Sequence, residues 1–434
     1  MTSTIEPAVS SGPPLGAEGR TGGRPSGRLH SRIRSGLPLL GPAFVAAIAY
    51  VDPGNFATNF SAGSRFGYLL LWVIVGANGT AMIIQSLSAK VGLATGQNLP
   101  QLSREHFPRS IGLCLWAQAE LIAIATDLAE VIGGALALRL LCGLPLLYGG
   151  LITGGVAFAL LALQSRGARR FEVAIAGLLA IILVAFLINL VRAHPEPAAV
   201  AGGLLPRLDG GDSVLLATGI LGATVMPHVV YLHSALTQTA TRSGDTRSGD
   251  AVRRRRLLRG QRVDILLAMG LAGIVNAAML VIAAAVLPGA GNADTLEGVH
   301  AGLGSAMGSG AALLFAVALL VSGLASSGVG TYAGQIMMAG FLRRQIPLLA
   351  RRGITLAPAL GILAIGVDPT RALVMSQVAL SFGIPFALVP LILITRTRAI
   401  MGELVNGRLM TATASSLAAL ISALNLYLVW RTIS

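Results

Sequence analysis

The sequence predicts an all-α, polytopic membrane protein with about 11 transmembrane helices, and three observations carry that reading. Hydrophobic types make up 54% of the 434 residues and charged types only 12%, whereas about a quarter of a soluble globular protein is charged. Several long apolar stretches contain no Lys or Arg, and about 20 such residues suffice for one helical span of a hydrocarbon core about 30 Å thick. The basic residues lie between the apolar segments rather than on one domain. Together these exclude a water-soluble fold.

Residues 1–36 contain the run SGPPLGAEGRTGGRPSGR, too rich in Gly, Pro, Ser and Arg to bury a core, and are expected to form a disordered cytoplasmic tail rather than a signal peptide. The membrane region is 37–434, with spans expected near 38–62, 69–92, 111–138, 146–164, 172–192, 213–238, 263–288, 310–341, 353–367, 371–395 and 409–431. With the N-terminus inside, the tail and the loops after even-numbered spans collect 26 of the 32 basic residues, including the run Arg253 to Arg256 with Arg259 and Arg262. The opposite side receives 6, namely Arg65, Arg139, Arg192, Arg207, Arg371 and Arg431. That asymmetry predicts a cytoplasmic N-terminus and an external C-terminus in the cell inner (plasma) membrane. It also explains the net charge of +14 as a topology signal facing anionic headgroups, with no nucleic-acid partner. The two cysteines, Cys114 and Cys142, cannot build a disulfide framework or a four-thiolate metal site.

An ionisable group inside a span costs about 2.5 to 3.5 kcal/mol on insertion scales, so each one is a functional candidate. Asp52 sits in AYVDPGNFATN, in the middle of the first span. Pro53 removes a backbone donor and Gly54 tolerates unusual dihedrals, so the helix should break there and place a carboxylate, the Asn55 amide and free carbonyls around one point, where they offer hard oxygen ligands to a cation. The plainer alternative is a kink with Asp52 as N-cap. The sixth span holds a second interruption, GATVMPHVVYLHSAL. Pro227 deprives the Ala223 carbonyl of its usual donor, and Met226 beside the break offers a thioether that elsewhere would be core packing. Breaks in spans one and six predict two inverted five-helix repeats, approximately 37–195 and 210–396, plus an extra helix at 408–431, a leucine-transporter-like fold with its substrate site at the midplane. In the third span Glu120, Asp127 and Glu130, spaced by seven and three, stack on one helical face as a carboxylate file or as structural salt-bridge partners. His228 follows the second break, with either a structural role or one in gating and proton handling, and His233 lies further along. Asp368, in VDPT, reads as a turn and helix cap.

DPGNFATN in the first span, and MPH followed by YLHSAL in the sixth, closely resemble the natural resistance-associated macrophage protein (Nramp) family of proton-coupled divalent metal transporters. The resemblance extends over about 38–431, with TDLAEVIG at 126–133 similar to that family's third span, Gln85 in IIQSLSAKVGLATG to its second, RRGITLAPA at 351–359 to its ninth, and Gln377 in VMSQVALSFGIP to its tenth. It implies Asp52, Asn55, the Ala223 carbonyl and Met226 as metal ligands, with Gln377 joining in some states. It also implies Asp127 and Glu130 as a proton route, with Arg352 as their partner and Glu120, His228 and Gln85 in proton movement and gating. The related magnesium transporters lack a methionine at the place of Met226. The thioether argues for transition metals over Mg²⁺ and Ca²⁺, while the resemblance, rather than the ligand set, implies Mn²⁺, with Fe²⁺ and Cd²⁺, as substrates taken up with protons; no dissociable cofactor and no obligate protein partner beyond the lipid bilayer are expected. Two other readings stay open on the residues alone. One is an amino-acid or small-solute symporter of the same architecture; the other is an intramembrane enzyme using Asp52 or the carboxylate file, although no HExxH string or evident nucleophile supports it.

Overall fold

Each of the eleven predicted segments is helical in the computed structural model, which describes residues 41–165, 168–242, 250–289, 295–343 and 348–433. The chain divides into Met1–Pro38 and Leu39–Ser434. The first unit, and with it the predicted tail, lies outside the described residues. All regular structure among the described residues is helical. The first span is two half-helices, α1 (Pro42–Ala49) and α2 (Pro53–Phe66), followed by α3 (Leu71–Thr95), α4 (Leu99–His106), α5 (Arg109–Cys142), α6 (Leu146–Ser165), α7 (Ala168–Ala193) and the short α8 (Pro197–Gly202). The sixth span is again two half-helices, α9 (Gly210–Thr224) and α10 (Pro227–Arg242). Beyond it come α11 (Asp250–Val286), α12 (Leu296–Met307), α13 (Ser309–Leu342), α14 (Leu348–Ala364), α15 (Pro369–Thr395), the single turn α16 (Arg398–Met401) and α17 (Arg408–Ile433).

Among the described residues, eight helical stretches are long and apolar enough to cross a membrane; one of them, Pro53–Thr95, joins α2 to α3 through a tight turn, and two shorter apolar helices lie at Leu146–Ala159 and Gly353–Ala364. The polybasic run expected as a loop is helical instead, forming the first turns of α11. Arg is a good helix former, so a helix that leaves the hydrocarbon has no reason to stop at the first charge. The amphipathic connectors α4 and α12 fall below the length of a hydropathy window. Their ends carry the signals instead: Asn98 and Gln101 form a reciprocal capping box on α4, and Thr295 caps α12. Asp368 caps α15 as expected, its side chain accepting from Arg371 N at 2.7 Å.

The 34-residue α5 ends where Gly143 adopts a left-handed conformation (φ 68°). Its principal partner is α13, and the two approach closely because Gly323 faces the backbone of Glu130 and Gly134, where a Cβ would collide. α9 packs on α15, α10 on α3, and both α1 and α2 on α11. Asp264 of α11 supplies a cap that α1 lacks locally, accepting from Ala43 N at 3.0 Å and from Gly41 N. Leucines, isoleucines and valines exposed along α7 and α17, such as Ile181, Val191, Leu420 and Leu426, form the lipid-facing surface.

Candidate metal-ion site

Both breaks fall where Pro and its neighbours require them. α1 stops at Ala49, Tyr50 and Val51 close a tight turn, and α2 restarts at Pro53 with Asp52 as N-cap, its Oδ1 accepting from Asn55 N at 2.8 Å. The capping role and the break therefore occur together. The freed carbonyls are answered by other helices, as a membrane interior requires. Asn276 Nδ2 of α11 donates to Tyr50 O at 2.8 Å, and Ser322 Oγ of α13 donates to Val51 O at 2.5 Å. In the second break Val225 and Met226 leave the helix between Thr224 and Pro227, with Met226 fully buried.

The two breaks meet through side chains. Asn55 Nδ2 bridges them, donating to Asp52 Oδ1 at 2.8 Å and to the Ala223 carbonyl at 3.1 Å. Gln377 Nε2 of α15 donates to Asp52 Oδ2 at 3.3 Å. Asp52, Asn55, Ala223, Met226 and Gln377 are all 0% exposed. Two amide oxygens in this cluster, Asn55 Oδ1 and Gln377 Oε1, are buried without a hydrogen-bond partner, as is the neighbouring Thr224 Oγ1. Orphaned buried acceptors are costly, and two of these belong to amides whose N–H groups already rest on the Asp52 carboxylate. Gly54 and Gly222 permit the convergence, since a Cβ on the first would strike the Gln377 amide and on the second the Gln377 carbonyl.

α5 touches both breaks. Gly133 receives Pro53, and Thr126 Oγ1 lies 3.3 Å from His228 Nδ1. That contact brings the buried Asp127 and Glu130 alongside, with Asp127 within electrostatic reach of both His228 and Glu120. Glu120 forms a two-point ion pair with Arg351 of α14, at 3.0 and 3.3 Å. The arginine that closes this end of the file is thus Arg351; the side chain of Arg352 lies outside the described residues. Glu130 packs its carboxylate against Gly330 of α13.

A second polar chain leaves the first break toward α3 and α10. Gln85 Nε2 donates to the Tyr50 hydroxyl, and Gln85 Oε1 accepts from His233 Nδ1 at 2.8 Å, with Gln261 of α11 beside the same imidazole. Gln85 therefore links three helices around the end of α1. Tyr50, Thr224, Asn276, Ser322 and Arg351 were not singled out by sequence reasoning. Only Tyr50, two residues before Asp52, and Arg351, next to Arg352, lay close enough to a motif to be found that way.

A chain whose first and sixth spans are both broken, with one buried carboxylate at the junction, has the build of an alternating-access transporter of the leucine-transporter-like class. Comparison with known proteins agrees. The pattern for the natural resistance-associated macrophage protein-like family, Nramp, matches residues 43–431. The divalent metal cation transporter MntH of Deinococcus radiodurans is 52% identical over 400 residues, covering 92% of this chain and 91% of that one. A crystal structure of the Eremococcus coleocola manganese transporter with an aromatic bis-isothiourea compound superposes with a TM-score of 0.82 at 33% identity, covering 92% of this chain and 87% of that chain. The fold extends to more distant proteins such as MhsT in complex with L-phenylalanine, with a TM-score of 0.59 at 14% identity over 90% of this chain and 98% of that one. The chain belongs to the Nramp family of membrane transporters.

Proposed function

We propose that the protein is a proton-coupled symporter that imports divalent transition metal ions, Mn²⁺ first and Fe²⁺ and Cd²⁺ with it, across the plasma membrane by alternating access. The observation that carries this reading is the buried cluster of Asp52, Asn55, the Ala223 carbonyl and Gln377, with its two orphaned amide oxygens. The amide N–H groups now rest on the Asp52 and Ala223 oxygens that a cation would take. Turning the Asn55 and Gln377 amides over would present their oxygens in exchange, and Met226 would add sulfur. Among the described residues no three His, Cys, Asp or Glu side chains converge on a metal-binding point. One carboxylate with neutral oxygens and a thioether is too weak a set for a resident structural ion, and suits an ion that must leave. The repeats of approximately 37–195 and 210–396 would rock about this point.

Import also fits the energetics. A divalent ion moving inward through about 100 mV gains about 4.6 kcal/mol, enough for more than about a thousandfold accumulation before protons contribute. The reading requires no dissociable cofactor. An amino-acid symporter on this frame would set the anionic Asp52 against the substrate carboxylate. The discriminating experiment is uptake by vesicles containing only this protein. Mn²⁺ entry that is saturable and accelerated by an inward-acid gradient is expected; entry of amino acids without Mn²⁺ would overturn the reading.

Met226→Ala should lose more Cd²⁺ transport than Mn²⁺ transport, by about tenfold for a soft donor removed from a soft ion, and should let Ca²⁺ and Mg²⁺ compete better. Competition by Ca²⁺ unchanged from the parent would place selectivity elsewhere.

The orientation proposed from the Arg distribution can be read with the native thiols. Cys114 and Cys142 are exposed near opposite ends of α5. A membrane-impermeant maleimide applied to intact cells should label the protein, and Cys142→Ser should remove the label. Persistence of the label in Cys142→Ser, with its loss in Cys114→Ser, would invert the topology.

A further inference from the structure

Where α4 ends, α5 begins and α13 ends, the surface opens into a cavity of about 580 Å³ lined by Arg104, Glu105, Arg109, Phe341, Leu342 and Arg343, with the first turns of α5 as its wall. None of these residues takes part in the metal cluster or the carboxylate file. Three guanidiniums from three separate helix ends converge here against one carboxylate. Glu105 is already engaged, accepting from Gln97 Nε2 at 3.0 Å and lying 3.5 Å from Arg104. Arg104 is tied down further, donating to the Gly340 carbonyl and so answering the negative end of α13. Arg109 and Arg343 are left with no ion-pair partner among the described residues. Arg343 is also held in a left-handed conformation (φ 57°), uncommon for any residue but glycine or asparagine, which keeps its Cα at the rim of the cavity.

We infer that this cavity binds the phosphate headgroup of an anionic phospholipid. The shared chemistry is a phosphate monoanion or dianion clamped between Arg109 and Arg343, because planar guanidiniums hold phosphate oxygens in pairs. The surroundings select a lipid over free phosphate. Phe341, Leu342 and Leu113 form an apolar wall, and Leu113 is 43% exposed. A free anion gains nothing from such a wall, whereas a phospholipid lays its glycerol and the head of an acyl chain along it. The site lies at the end of the bundle that the Arg distribution assigns to the cytoplasm, so its leaflet, though not its chemistry, rests on the proposed orientation. A lipid seated here would join α5, which borders both breaks, to the end of α13, its main partner.

The test uses the purified full chain in mixed detergent micelles, with bound lipid counted by native mass spectrometry. Phosphatidylglycerol should be retained over phosphatidylcholine by about tenfold, and Arg109→Gln combined with Arg343→Asn, an exchange that asparagine's tolerance of the left-handed region permits, should bring that ratio to about one. Arg109→Lys with Arg343→Lys, which keeps both charges, should restore most of the preference, separating loss of charge from loss of fold. Monodispersity and Mn²⁺ binding, read on the same samples, should be unchanged in both pairs, because neither residue is near Asp52. Since micelles have no sidedness, failure here leaves the orientation and the metal reading intact. Equal phosphatidylglycerol retention by parent and Arg109→Gln/Arg343→Asn would overturn the inference. So would millimolar inorganic phosphate displacing the lipid from the parent, since that would make the cavity a free-anion site.

Discussion

Asp52→Ala is expected to abolish metal uptake while leaving a folded, monodisperse protein. Asp52 carries the only negative charge in the cluster, and both of its oxygens are engaged: Oδ1 by the Asn55 backbone and amide, Oδ2 by Gln377. Its removal leaves a divalent ion with neutral ligands in a fully buried place. Breaking one half of a buried charge pair costs about 3 to 5 kcal/mol, which is about two to three and a half decades in affinity. Loss of the cap costs α2 a further increment of about 1 kcal/mol. α2 nevertheless remains packed on α11, and α9 on α15, so the fold should survive. Calorimetric titration with Mn²⁺ should show no binding, and vesicles should show uptake at background. Asp52→Asn separates the two roles, because an Asn side chain still caps a helix but brings no charge. It should restore thermal stability to the parental value and leave transport dead. Near-parental Mn²⁺ entry in either variant would remove Asp52 from the site.

The parts of this molecule legible in the sequence are those written in local chemistry. Pro53 and Pro227 dictate where helices stop, whatever surrounds them, and Asp52 at membrane depth flags itself by its cost. Span number followed from hydropathy because lipid leaves the chain few other options. What could not be read was anything requiring a partner across the bundle. Nothing about Ser322 or Asn276 predicts that they answer carbonyls freed 271 and 226 residues away. Asp264, at the edge of its span, was not singled out, and its role shows only when Ala43 N is seen against it. That Arg351 pairs with Glu120 is decided by the packing of α14 on α5 and by nothing in the local sequence. The helical extension of α11 through the Arg run was missed for the opposite reason: charge density was read as a loop signal although arginine favours helix.

Asp127→Asn is expected to uncouple the transporter, reducing metal-driven proton movement at least about tenfold while metal affinity changes by less than about threefold. The expectation follows from where α5 lies. Its Gly133 abuts Pro53 and its Thr126 meets His228, so α5 borders the cluster without contributing a ligand to it. Asp127 lies within electrostatic reach of both His228 and Glu120, and Glu120 is paired with Arg351. On the proposed route, a proton leaving the region of the breaks would meet an imidazole, then a carboxylate, then a carboxylate already matched by a guanidinium. Replacing the middle member with an amide interrupts the file and preserves its shape. Glu130 is buried on the same helix and pressed against Gly330, so Glu130→Gln should give a partial version of the same loss and the double variant less than the sum. The measurement is a lumenal pH dye read beside Mn²⁺ entry in the same vesicles. A proton-to-metal ratio held at the parental value in Asp127→Asn would move the proton route off α5, leaving the chain from Tyr50 through Gln85 to His233 as the path to examine.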